Sequence, residues 1–242
     1  MDKRNIRGLF MVFISFIINL IGGVINMFVS GNIGGLIFSA IVIIASIGLS
    51  IYGLSQITGY SDHFRKARTV AYIYTGAELA TLIGTAIISA NVSHAMHTYS
   101  ISGYIEGYYS IAIYTIIFSV INAALNIFYI TEILSGCMDI AKENNAPITY
   151  AGIFGLRRWY TISLTVTVAC QVLILIIYLS SLSSTFSNYI VYGQSSNPVA
   201  AGFTVFLAVI EIIAGIIYIV SYIRVLMTVY KTYSSNFSDR LS

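Results

Sequence analysis

Long apolar runs separated by short polar breaks set the pattern of this chain. Six of them cover Leu9–Val29, Leu36–Ile57, Thr69–Asn91, Ile111–Leu134, Thr161–Leu182 and Ala200–Tyr222. Each reaches the roughly 20 residues a helix needs to cross a hydrocarbon core about 30 Å thick. Helices are expected because backbone groups in lipid must be satisfied internally, and a β-barrel would read as alternating segments of about 10 residues. The expected fold is all-α, a bundle of six transmembrane helices arranged as three hairpins, with residues 1–242 forming a single polytopic membrane domain.

The breaks between runs carry their own signals. Pro147 and Pro198 both fall between runs and are expected in loops, so no span should be kinked by proline. The fourth span is expected to continue a turn or two past Leu134 and to break near Asn144-Asn145-Ala146-Pro147, because proline disfavours helical geometry at the residue before it. Val92–Ser110, rich in Tyr, Ser and Gly, is expected to lie along an interface, where tyrosine pairs an apolar ring with a polar tip. The first run follows Lys3, Arg4 and Arg7, as a signal peptide would. It is longer than the 7–15 apolar residues of such a peptide and has no small-residue cleavage site, so it is expected as a retained helix.

Charge then orients the bundle. All twelve Lys and Arg residues fall before the first span, after the even-numbered spans or in the fourth-to-fifth connection, and the three remaining connections have none. The positive-inside rule puts such segments on the cytoplasmic side, so both termini are expected there, in the cell (cytoplasmic) membrane. Composition agrees: 57% of residues are hydrophobic and 9% charged, against about 25% charged in a soluble domain. The net charge of +3 is no nucleic-acid signal, because the basic residues cluster at helix ends and not along one face. Cys137 and Cys170 fall at different depths and are not expected to pair.

Candidate chemistry lies in the polar positions inside the runs. Glu78 and Glu211 sit about 14 Å and 17 Å from the nearer ends of their spans, close to the midplane. A carboxylate there costs about 2.5–3.5 kcal/mol and often marks an ion path or proton relay. No basic residue lies at that depth to pair with either, so both are expected as neutral acids forming a cation, substrate or proton site. Polar residues at helical spacing give candidate lining: Asn19 and Asn26 in the first span, Tyr74 and Thr81 beside Glu78 in the third, Asn122 and Asn126 in the fourth, Gln171 in the fifth and Tyr218 in the sixth. The competing expectation is structural, since such side chains hydrogen-bond between helices and small residues, as in Gly76-x-x-x-Ala80-x-x-x-Gly84, let backbones approach.

Catalytic equipment is missing from the sequence. There is no H-E-x-x-H, G-x-S-x-G, Walker loop or G-x-G-x-x-G, and no aspartate inside a span. His94 and His97, with Glu106 nearby, are too few to specify a metal site. No enzyme activity, cofactor or metal is expected. The leading expectation is a transporter or channel for a small cation, neutral solute or proton-coupled substrate. The alternative is a non-transporting accessory, scaffold or immunity-type membrane protein that works through a membrane-protein partner or a homo-oligomer.

Overall fold

A computed structural model describes residues 7–29, 33–97, 101–143, 147–192 and 198–238. These form α1 (Arg7–Val29), α2 (Ile33–Ile57), α3 (Asp62–His97), α4 (Ile101–Glu143), α5 (Pro147–Tyr192) and α6 (Pro198–Ser238). Each of the six contains a stretch long and apolar enough to cross a membrane. Each helix packs on its neighbours in chain order, α1 closes back on α6, and α4 also reaches α6. The six expected runs fall one to a helix.

The helices are longer than the runs that announce them. With 43, 46 and 41 residues, α4, α5 and α6 extend about 60–70 Å, roughly twice a hydrocarbon core. The expected loop from 147 to 160 is helix because Ile153, Leu156 and Tyr160 bury one face of it. Pro147 and Pro198 are accordingly the first residues of α5 and α6 and not loop residues. Proline suits that position, where its missing N–H would have had no intrahelical partner. The described part of Val92–Ser110 is helical: α3 runs to His97 and α4 starts at Ile101.

One end of the bundle carries the basic residues: Arg7, Arg65, Lys66, Arg68, Lys142, Arg157, Arg158, Arg224 and Lys231 all lie on helix segments at that end. The core sits in the same half. Leu9 and Val12 of α1, Leu54 and Ile57 of α2, Phe64 of α3, Ile133 and Leu134 of α4, and Val225 and Val229 of α6 are fully enclosed there. Further along, the helices present Ile21, Val24, Ile41, Ile83, Ile87, Val205 and Ile212 outward.

Close approach at the basic end depends on glycine. Gly8 and Gly53 face each other across α1 and α2, so that a Cβ on Gly53 would lie 2.5 Å from the Gly8 carbonyl oxygen. A side chain on Gly136 would collide with the Phe64 ring. In the Gly76–Ala80–Gly84 run only part serves this purpose: Gly84 lies under Tyr114 of α4, whose hydroxyl donates to the Ala80 carbonyl at 2.5 Å, whereas Gly76 faces open space. An aromatic ladder closes the ring, with Phe10 on Tyr233, Phe13 on Tyr230 and Phe16 on Tyr222 at centroid separations of 5.3, 5.0 and 5.7 Å.

Candidate functional site

Glu78 lies half-buried in the middle of α3, on the wall of a cavity of about 190 Å³ between α1, α2 and α3. Asn19 and Gly22 of α1, Ser39 and Ser46 of α2, and Tyr74 one turn before Glu78 complete the polar lining. Gly22 leaves room for the Val42 side chain where α1 meets α2. A smaller void continues toward the basic end past Asn19, Ser46 and Tyr74 to Ser50 and Tyr129. The Ser50 and Tyr129 hydroxyls share a short hydrogen bond across α2 and α4.

Tyr74 links this cavity to a tyrosine cluster in the bundle interior. Its hydroxyl lies within hydrogen-bonding reach of the Glu78 carboxyl, and it lies within electrostatic reach of Tyr218 and Tyr222 on α6. Tyr222 in turn lies within reach of Asn19 and donates to the Phe16 carbonyl at 3.3 Å. Tyr160 of α5 donates to Asn126 Oδ1 at 2.8 Å and stands 3.5 Å from the Tyr218 hydroxyl, which lies within reach of Asn126. A belt of hydroxyl, amide and carboxyl oxygens therefore runs from Glu78 through α6 to α4 and α5. Oxygen donors of this kind suit hard cations, and chains of hydroxyls can pass protons.

The expected site residues divide in this structure. Glu78, Tyr74, Asn19, Asn126 and Tyr218 belong to the belt or its cavity. Glu211 does not join Glu78: it is half-buried on α6 beside Cys170 of α5. Thr81 and Asn122 pair with each other at the α3–α4 contact, Asn122 Nδ2 donating to Thr81 Oγ1 at 3.1 Å while Thr81 donates to the Ala77 carbonyl at 2.8 Å. Gln171 is exposed on α5 and lines neither void. Asn26 falls in α1, but its side chain lies outside the described residues, as does that of His97. Among the described residues no group of three or more His, Cys, Asp or Glu side chains is placed to hold a metal ion.

Two features escaped the sequence reading. Ser39, Ser46 and Ser50 form a polar face on α2 at helical spacing, a signal present in the sequence but quiet, since Ser39 and Ser46 also bond their own helix backbone. At the basic end, Glu132 is not a free carboxylate: its Oε2 lies 2.6 Å from His63 Nδ1. Ser61 caps α3 by accepting the His63 backbone N–H at 3.1 Å and donates to Asp139 at 2.6 Å. These contacts tie the α2–α3 turn to α4.

Comparisons with protein-family models, with curated proteins and with solved structures return no match to this chain. The class that fold and geometry define is thus an all-helical bundle with six helices long and apolar enough to span a membrane.

Proposed function

We propose that the chain is a multi-pass protein of the cell membrane, with both termini on the cytoplasmic side, that moves or gates a small cation or proton-coupled solute. The observation that carries this reading is Glu78, a carboxyl in the middle of an apolar helix that lines a cavity and continues into a belt of hydroxyl groups. An acid held only as interhelical glue needs neither the cavity nor the belt. An acid-lined interior with no base at its depth favours cations over anions. The outward isoleucine and valine surface suits lipid as its solvent, and the gathering of basic residues at one end supports the orientation.

The test is labelling of the purified protein with a hydrophobic carbodiimide, located by mass spectrometry and scanned against Na⁺, K⁺ and organic cations, followed by flux in proteoliposomes. Labelling at Glu78 that one cation blocks, with flux lost in Glu78→Gln, is the expected result. Labelling indifferent to every cation, with flux unchanged in the variant, overturns the reading.

The accessory or scaffold reading draws on a separate observation. Gly48, Gly76 and Gly215 have nothing within 4 Å of where a side chain would begin, which leaves small-residue positions open to a helix from another subunit. A stable partner recovered after mild detergent extraction favours this alternative.

A further inference from the structure

A second cavity is remote from Glu78. It is a groove of about 920 Å³ between the start of α5 and the stretch of α6 from its middle toward its basic end. Its length on α6, from Ile216 to Lys231, is about 22 Å. Polarity is ordered along it. Ile216, Ile217 and Val220 line the inner part of α6 at the level of Trp159, since the neighbouring Tyr160 packs on Tyr218, while Arg224 and Lys231 follow toward the helix end, past Leu156 and Ile153 of α5. Both cations are exposed, and no ion pair joins either to an acid among the described residues. Trp159 stands in the wall, half exposed at 54%.

We propose that this groove binds an anionic phospholipid, one acyl chain lying along the apolar wall and the phosphate held by Arg224 and Lys231. An apolar slot that ends in two cations with no acid partner among the described residues is complementary to a molecule with a long tail and an anionic head. A zwitterionic lipid offers the same tail but brings its own cation to the head. Arg224 suits the phosphate because its guanidinium can donate two parallel hydrogen bonds. Trp159, next to the Tyr160 that packs on Tyr218, stands level with the apolar wall inward of Arg224, where it would meet the acyl chain. The inference needs the chain to sit in a bilayer; it does not need it to transport anything.

The chain's only tryptophan is a built-in reporter. The protein would be placed in phosphatidylcholine vesicles carrying a rising fraction of phosphatidylglycerol brominated along its acyl chains, and Trp159 quenching compared with the converse experiment using brominated phosphatidylcholine. Vesicle flotation checks insertion independently. The expected preference for the anionic lipid is roughly fivefold for one cationic contact and roughly thirtyfold for two at low salt. In the double variant Arg224→Gln, Lys231→Gln, whose exposed positions leave folding intact, the two lipids should quench alike. Equal quenching in the unaltered protein, or none by either lipid in protein that floats with the vesicles, overturns the proposal. Relief of the quench by soluble glycerol phosphate also overturns it, by assigning the two cations to a water-borne anion.

Discussion

Replacing Gly53 with alanine puts one methyl group into the backbone contact between α1 and α2. The new Cβ would lie 2.5 Å from the Gly8 carbonyl oxygen, 2.9 Å from Met11 Cβ and 3.1 Å from the Val12 backbone nitrogen. Ordinary contact begins near 3.4 Å, so α1 and α2 must separate locally by about 0.9 Å. Two of the three obstructing atoms are backbone and cannot rotate aside. A gap of 0.5–1 Å forfeits a quarter to a half of the dispersion energy of each contact it opens, and Leu9, Val12, Leu54 and Ile57, all fully enclosed, stand beside it. Overpacking costs about 1–3 kcal/mol, and a backbone obstruction places this site at the top of that range. The alanine's better helix propensity offsets up to about 1 kcal/mol, leaving a net loss of about 2 kcal/mol. Gly48→Ala, on the same helix with open space around it, gains the propensity term and meets nothing. The two variants should differ by about 3 kcal/mol, roughly a hundredfold in the unfolding equilibrium, on the scale of 1.4 kcal/mol per tenfold. Circular dichroism during titration of a mild-detergent micelle with dodecyl sulfate reads that difference. Equal stability in the two variants would refute the reading of Gly8 and Gly53 as a contact that only glycine permits.

Three other outcomes follow from the structure. Asn122→Leu should be neutral or stabilise by up to about 1 kcal/mol, because the buried Asn122 Oδ1 has no partner among the described residues and Thr81 keeps its own bond to Ala77; a loss above that size in the same titration would make Asn122 an essential link between α3 and α4. Glu132→Gln should lower stability by about 1 kcal/mol, since the bond to His63 is charge-assisted but partly open to solvent; His63→Ala in the Glu132→Gln background should then cost little more, and fully additive losses would show that the two side chains are not coupled. Cys137 and Cys170 are buried, so neither should react with a maleimide in the folded protein and both should react once it is unfolded; rapid labelling of native protein at Cys137 would contradict the packing at the basic end.

How much of this was legible in the sequence follows from the range of the forces concerned. The six helices were, because a run such as Leu36–Ile57 is specified by a local property, apolar length. Where α5 begins was not: Pro147 reads as a break, yet it opens a helix whose first turns are held by Ile153 and Tyr160 in a core that local sequence does not display. The cavity was half legible. Asn19, Tyr74 and Glu78 stand out as polar residues in apolar runs, whereas the α2 serines are ordinary in any helix. Which carboxyl meets which cavity depends on helix rotation and neighbour order, so the separation of Glu211 from Glu78 could not be read from depth alone. The His63–Glu132 bond joins residues 69 positions apart and left no mark on either segment.

The concentration of the core at the basic end has a mechanical consequence. Beyond Leu164, the last residue α5 gives to the cluster at the basic end, that helix continues to Tyr192, about 42 Å away. Its geometry is that of a lever with a collar of core residues at one end. A tilt of about 5° at the collar, well within the small rigid-body adjustments that packed helices make, displaces the far tip by nearly 4 Å, a distance of 42 Å times the tilt in radians. Beyond the collar such a tilt meets buried Cys170 and the hydrogen bond from the Tyr109 hydroxyl to the Leu179 carbonyl at 3.1 Å, a thinner set of contacts than the basic end provides.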